Sequence, residues 1–287
     1  MKFRFIAFTL AFISISRALA GAYESLPDTI SRLNEIVKSA GSEPKWACVT
    51  TGNKSQPSPA VGRGTKSENR LWQNAGFENA KFETWPADML YEPSIINDPG
   101  FTHEIDLSVV LYRGTSWDKE SIRQRFKSMA KVLRQCKLKI SKVKFIEADA
   151  YNGWLDVDGV IRKNGDRESQ ISEALPIKSR PVFVYLRSSR LTATGYAIPQ
   201  YVVEESNPAK DTIWMTELSQ QLSPNTSLEA HELAHVLLNS GHVDHGRNRN
   251  ILHIKPNRQN NKIGNERGGQ CDQMKKYGAV RSINTKD

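Results

Sequence analysis

The sequence is poor in cysteine and histidine, and it has no second long apolar run after its first 20 residues. Three Cys and six His in 287 residues limit the disulfides and metal sites that the chain can form. Because a membrane-spanning helix needs roughly 20 apolar residues, we expect no stable membrane association. The formal net charge of +9 is spread along the chain, without the alternating aromatic and basic residues that favour nucleic-acid binding.

The first 20 residues are typical of a secretory signal peptide. Lys2 and Arg4 precede an apolar run from Phe5 to Ile15, and a small-residue pattern at residues 18–20 precedes the predicted cleavage site. Removal of this segment would lower the net charge from +9 to +6. We therefore expect the mature protein to be secreted or periplasmic.

Export also bears on the cysteines, which are Cys48, Cys136 and Cys271. In an oxidising compartment two of them are expected to pair and one to be left over. The residues by themselves allow three pairings.

The rest of the chain divides into an irregular part and an ordered part. Residues 21–100 contain a polar stretch, TTGNKSQPSPAVGRGTKSEN, whose Gly, Pro, Ser and Asn content predicts an N-terminal extension or propeptide. Regular structure is expected from about Phe101. Residues 101–287 should therefore form the one large domain, in a chain whose 38% hydrophobic and 25% charged residues are those of an ordinary globular protein.

The ordered part begins with a strand, a helix and a strand. Residues 105–113, IDLSVVLYR, predict a buried strand, and either Ser116 or Asp118 can cap the helix that follows. The next strand, KLKISKVKFIEA, changes phase at Ser141-Lys142, as a bulge would require. This order of elements predicts a parallel pair of strands.

Further strands are predicted at residues 180–189, 192–200 and 211–218. The second of these, TATGYAIPQ, is punctuated by Gly and Pro in the manner of an edge strand. A helix follows, and Thr226 and Glu229 have the spacing of a capping box at its start.

That helix carries the motif HELAH. Residues four apart lie on the same helix face, so His231 and His235 present two imidazoles to one point. Glu232 can lean over the same point without occupying it. This is the HExxH arrangement, in which two neutral nitrogens bind Zn²⁺ and the carboxylate takes a proton from the water that the metal activates.

A catalytic zinc needs a third protein ligand and one open position. The next residue on the helix face is Asn239, which can adopt the left-handed conformation that ends a helix, and Gly241 loosens the turn. The chain can then fold back to aim His242 at the metal. The alternatives are His245 and, from farther along the chain, Glu266.

The segment HELAHVLLNSGH resembles the metzincin zinc-protease motif HExxHxxGxxH, with one residue inserted and Asn239 in place of the family's Gly. Asn250-Ile251-Leu252 is similar to the start of the family's Met-turn, with Leu252 where the family has Met. The resemblance spans about residues 105–277. It implies an α/β fold in which a twisted, mostly parallel sheet has an antiparallel edge strand beside an active-site helix.

The resemblance also implies a disulfide and a mode of substrate binding. The stretch GGQCDQMKKYG looks like the C-terminal helix of the family's bacterial members, which implies a Cys136–Cys271 disulfide. A protein or peptide substrate would add to the edge strand at Gly195, Tyr196 and Ala197 through main-chain hydrogen bonds. Residues 101–287 would then be the catalytic domain of a secreted zinc endopeptidase.

Two alternatives stand beside this interpretation. The helix could belong to a non-catalytic zinc-binding or adhesion module on a protease-like fold. Separately, the leftover Cys48 could act as a latency switch by occupying the open metal position, although KWAC lacks the fuller motif of such switches and an unpaired or intermolecular cysteine is the commoner outcome.

Overall fold

A computed structural model of the chain describes residues 77, 79–151, 153–159, 166–177, 179–190, 193–222, 228–242, 250–252, 263 and 269–283. The predicted signal peptide, most of the predicted extension and Cys48 lie outside these residues.

The described residues form nine strands, seven of them in one sheet. The large sheet contains β1 (Lys81–Pro86), β2 (His103–Arg113), β3 (Leu138–Asp149), β5 (Val182–Tyr185), β7 (Gly195–Ile198), β8 (Thr212–Met215) and β9 (Val280–Ser282). A small parallel sheet contains β4 (Asp156–Val157) and β6 (Ser188–Ser189).

Five α-helices accompany these strands within the described ranges. They are α1 (Pro93–Ile96), α2 (Lys119–Leu133), α3 (Arg167–Ala174), α4 (Leu228–Leu238) and α5 (Gln270–Met274), and short 3-10 turns cover Ala87–Met89, Arg134–Cys136 and Glu217–Gln221. No helix among the described residues is both long and apolar enough to cross a membrane.

The strand order is β1-β3-β2-β5-β8-β7, with β9 also paired to β2. The pairs β2–β3, β2–β5 and β5–β8 are parallel, whereas β1, β7 and β9 run antiparallel to their neighbours. The predicted mixed α/β class with a mostly parallel central sheet is confirmed. The strand predicted at residues 192–200 lies at one end of this order, antiparallel to β8.

Local features of the first strand-helix-strand unit follow the sequence closely. Asp118 caps α2 by accepting a hydrogen bond from the main-chain N–H of Ser121 at 2.8 Å. The register of β2 on β3 shifts where Asp106 pairs with Lys142, so Ser141 is the extra residue of a bulge. The predicted change of phase at this point is confirmed.

The strand predicted at residues 180–189 is shorter than expected. Its first part is β5, but the main-chain N–H groups of Arg187 and Ser188 both bond to the carbonyl of Leu155, at 2.9 and 3.2 Å. The chain therefore leaves the large sheet after Tyr185 and continues as β6 in the small one.

Apolar side chains cover both faces of the large sheet. Along β2, Val109 belongs to a cluster with residues of α2 and α4, and the next residue, Val110, belongs to a second cluster with residues of α3. This alternation is the period-two pattern of a strand buried on both sides. The sheet thus lies between a layer that contains α2 and α4 and a layer that contains α3.

Regular structure begins earlier than the sequence suggested. Strand β1 falls in the segment assigned to the extension, yet it pairs along β3 and buries Trp85 completely. The Trp85 ring stacks on Phe145 with a centroid separation of 4.7 Å. Residues 81–86 are therefore part of the sheet, and a propeptide cut that leaves this sheet intact must fall before Lys81.

Trp85→Ala should lower the free energy of unfolding by about 3–5 kcal/mol, because it leaves a large cavity in the core. Phe82→Ala is the matched control on the same strand, since Phe82 is 66% exposed, and it should change that free energy by less than about 1 kcal/mol. Urea unfolding measures both. Equal effects of the two substitutions would contradict the assignment of β1 to the core.

The layer that contains α3 includes a buried acid, Glu168, which lies on that helix. Its Oε1 accepts hydrogen bonds from the Tyr196 hydroxyl at 2.7 Å and from the main-chain N–H of Gly159 at 2.6 Å. Its Oε2 is buried without a hydrogen-bond partner among the described residues. Burial raises the pKa of Glu168 to about 7.

This acid should make stability fall with rising pH. The folded protein holds the Glu168 proton up to about pH 7, whereas the unfolded chain loses it near its ordinary pKa of 4.5, so the free energy of unfolding decreases across that window. At about 1.4 kcal/mol per pH unit, the full decrease is on the order of 3 kcal/mol. Glu168→Gln should remove this part of the pH dependence, measured as the difference between the two proteins in urea unfolding at pH 4.5 and 8. If the difference in free energy of unfolding between the two proteins is the same at both pH values, this role of Glu168 is wrong.

Candidate metal centre

Helix α4 brings His231 and His235 together in the interior, where their side chains are 1% and 0% exposed. Their Nε2 atoms lie 3.1 Å apart, as expected for imidazoles one turn apart on the same helix face. His242 joins them from beyond the end of the helix, with its Nε2 at 3.3 Å from that of His231. The structure therefore gathers the three histidines that the sequence singled out, with ligand atoms all within 4.8 Å of one another.

Main-chain carbonyls orient two of the rings. The Nδ1 of His231 lies 2.5 Å from the carbonyl oxygen of Ile251, and the Nδ1 of His235 lies 2.7 Å from that of Ser240. Because a carbonyl oxygen only accepts, each Nδ1 carries the proton, and in a neutral ring each Nε2 carries a lone pair. Hydrogen bonds of this kind from the second ring nitrogen are what fix metal-binding histidines in place.

Protonation of His235 is also disfavoured. Burial, followed by the proximity of His231 and His242, lowers the pKa of His235 well below its ordinary value. With both protons on Nδ1, the Nε2 atoms of His231 and His235 are both acceptors. At a separation of 3.1 Å their lone pairs repel each other. A cation bound between them removes this repulsion, so the donor set fits a metal ion.

The turn after α4 places the third histidine. Asn239 has a φ of 45°, the left-handed conformation predicted for it. The main-chain N–H of Asn239 bonds to the carbonyl of Val236, and that of Ser240 bonds to the carbonyl of His235, at 3.1 and 3.2 Å. This pair of bonds is the Schellman motif, which reverses the chain at a helix end. The rivals of His242, at positions 245 and 266, lie outside the described residues.

Glu232 lies in the same helix and is completely buried. Neither of its carboxylate oxygens has a hydrogen-bond partner among the described residues. Burial raises the pKa of Glu232 well above its ordinary value, the neighbouring Glu229 raises it further, and the main-chain amide of Ala197 acts in the opposite direction. An acid buried without partners is costly, and its position beside the histidines suits a group that exchanges a proton with a water at the metal.

The segment beneath His231 is built from Asn250, Ile251 and Leu252. The Oδ1 of Asn250 accepts the main-chain N–H of Leu252 at 2.9 Å, which holds the turn that exposes the Ile251 carbonyl to His231. The Asn250 side chain also exchanges two hydrogen bonds with the amide of Gln270, at 3.0 and 3.2 Å. Leu252 is 1% exposed and belongs to the same apolar cluster as residues of α4.

Helix α5 fixes this segment to the rest of the domain. Gln270 is followed by Cys271, which forms a disulfide with Cys136 after α2. The disulfide pairing expected from the family resemblance is confirmed. Sequence reasoning missed the amide pair between positions 250 and 270, because two isolated amide residues give no signal of their contact.

An ion pair supports the start of α4. The Nη1 of Arg125 lies 3.3 Å from the Oε1 of Glu229, and both side chains are buried. The Nη2 of Arg125 donates to the carbonyls of Ser219 and Leu222, at 2.8 and 3.1 Å. The predicted cap partner at position 226 lies outside the described residues, and Glu229 itself is engaged by Arg125. The sequence did contain one signal of this ion pair. Arg125 lies on the apolar face of α2, where a buried charge needs a partner.

The expected substrate strand lies beside the metal centre but is well covered. In β7, Tyr196 and Ala197 are fully buried, and a side chain on Gly195 would approach the sulfur of Met215 to 3.2 Å. The Tyr196 ring faces the opposite layer of the domain, where it bonds to Glu168. Of the three residues predicted to bind substrate, Tyr196 thus directs its side chain into the layer that contains α3, away from the histidines.

Comparison with known proteins identifies no family for this chain, so the functional conclusion rests on the geometry of the site. No family model matches the chain, and no curated protein is significantly similar to it.

Zinc content should identify the third ligand. We expect one zinc per chain in the purified mature protein, nearly none in His242→Ala, and an undiminished content in the matched control His245→Ala, because His242 completes the cluster with His231 and His235. Elemental analysis measures all three proteins. Zinc that persists in His242→Ala but is lost in His245→Ala or Glu266→Ala would overturn this ligand set.

Proposed function

We propose that the protein is a secreted, metzincin-like zinc endopeptidase. The observation that carries the proposal is the convergence of His231, His235 and His242. It is supported by Glu232, a buried acid that follows His231 in the same helix. Residues 101–287 with strand β1 would form the catalytic domain.

Zinc is the metal that this donor set suits best. Three neutral imidazoles leave one of four tetrahedral positions to water or substrate, which is the arrangement of catalytic zinc sites. A Zn²⁺ bound here would supply a Lewis acid that polarises the scissile carbonyl and makes water a nucleophile at neutral pH. The histidines would hold it in the orientation fixed by the carbonyls of Ile251 and Ser240.

Glu232 is proposed to move the proton. Its carboxylate would take a proton from the attacking water and pass it to the leaving amine when the peptide bond breaks. Burial raises the pKa of Glu232 well above its ordinary value, which makes its carboxylate a stronger base for the proton of the attacking water. No side chain among the described residues bonds to either carboxylate oxygen, which supports this role.

The substrate is proposed to lie along β7. This strand is the last in the order of the large sheet, and it packs against α4, which carries the metal ligands. The main-chain N–H of Ala197 acts to lower the pKa of the Glu232 carboxyl, and this contact supports the placement of a peptide along β7. An extended peptide paired with this main chain would bring its scissile bond to the histidines.

Glu232→Gln should lower kcat/KM for a cleaved protein or peptide by about 10²–10⁴-fold, because the amide cannot accept the proton. Zinc content and urea unfolding should stay close to those of the original protein. The matched control is Glu205→Gln, on an acid whose side chain is 82% exposed, and it should leave cleavage unchanged.

Two outcomes would contradict the assignment. Cleavage that survives Glu232→Gln would exclude this residue as the general base. Zinc bound by a protein that cleaves no peptide would instead favour a non-catalytic zinc-binding or adhesion module.

A further inference from the structure

The position of His242 depends on the turn that follows α4. After Leu238 the chain reverses at Asn239, whose φ is 45°. The carbonyl of the next residue, Ser240, lies 2.7 Å from the Nδ1 of His235. The turn therefore both orients the second histidine and delivers the third, so a small movement of it would displace two ligands at once.

The side chain of Asn239 is bound to the strand region on the other side of the site. Its Oδ1 accepts the main-chain N–H of Tyr201 at 2.7 Å. Tyr201 follows closely after Ile198, the last residue of β7. This hydrogen bond, which we term the 239–201 tether, thus joins the exit of the proposed substrate strand to the turn that holds His242.

A second contact brings Tyr201 against the same turn. A Cβ at Gly241 would lie 3.3 Å from the Tyr201 hydroxyl, which is closer than most such contacts in proteins. The Tyr201 ring therefore reaches over the turn next to His242, and position 241 has little space for a larger residue. The side chain and the main chain of Tyr201 both contact the turn.

The identity of residue 239 is informative because glycine would suit its backbone better. A residue with positive φ is least strained as glycine, and asparagine is the next best choice. A helix-ending asparagine with no other role could be replaced by glycine, which adopts this left-handed conformation without strain. The tether gives the amide a role that glycine lacks.

We propose that Asn239 is a positioning residue for the metal centre and that the 239–201 tether couples strand β7 to the third ligand. The inference rests on the proposed zinc site and deepens it. A peptide that pairs with β7 would steady the strand exit, and the tether would transmit this to the turn that carries His242. Metal geometry and peptide binding are thereby linked through one hydrogen bond.

The test compares Asn239→Gly with Asn239→Asp in the full-length mature protein. Glycine keeps the left-handed backbone but removes the acceptor, whereas aspartate keeps an acceptor oxygen for the Tyr201 N–H. Zinc affinity is measured by competition with a chromophoric chelator, and the ligand geometry by the visible absorption of the Co²⁺-substituted protein. Urea unfolding of the metal-free proteins reports the stability of the fold separately.

We expect Asn239→Gly to bind zinc about 10-fold or more weakly, in the range found when partners that orient metal ligands are lost. Its Co²⁺ spectrum should change, while its metal-free unfolding midpoint should be equal or higher. Asn239→Asp should bind zinc at least as tightly as the original protein.

The proposal is overturned if Asn239→Gly matches the original protein in zinc affinity and Co²⁺ spectrum, or if Asn239→Asp is weakened as much as Asn239→Gly. It is also overturned if the original protein binds no zinc, which would remove the proposed function too. Zinc binding with the expected pattern, but without peptide cleavage, would support the tether and contradict only the endopeptidase assignment.

Discussion

The candidate metal centre depends on keeping the lone pairs of three clustered imidazoles directed at one point. This arrangement repels itself when no cation is bound, so surrounding groups must fix the rings. Two main-chain carbonyls do so for His231 and His235, and each belongs to a segment that is itself held by a side-chain amide. Asn250 holds the segment at Ile251, and Asn239 holds the turn at Ser240. The ligands are therefore supported by amide side chains that lie outside the HExxH motif.

Helix α4 contains two buried acids, and only one of them is paired with a basic side chain among the described residues. Glu229 is paired with Arg125, which also binds two carbonyls of the preceding loop and lies 5.2 Å from the ring centroid of Trp117. Glu232, one turn later, has no hydrogen-bond partner among the described residues. Glu229 fixes the start of the helix in the core through its pairing with Arg125. Its negative charge also raises the pKa of Glu232, in addition to the effect of burial.

Much of this could be predicted from the sequence, because the signals are local. The apolar face of α2, the bulge at Ser141 and the left-handed Asn239 each follow from a few neighbouring residues. The pairs Arg125–Glu229 and Asn250–Gln270 could not, since their members are 104 and 20 residues apart and no periodicity links them. Strand β1 was missed for another reason. Its sequence KFETWP follows a long polar stretch and buries only Trp85 fully, so its strand pattern is weak until β3 pairs with it.

The contacts at the two ends of α4 have a consequence for how such a chain can change over generations. Arg125 holds the first turn, and the 239–201 tether holds the last. Each contact joins α4 to a distant part of the chain, since Arg125 lies on α2 and Tyr201 lies after β7. Related chains should therefore keep positions 125, 229 and 239 more strictly than the exposed positions of α2.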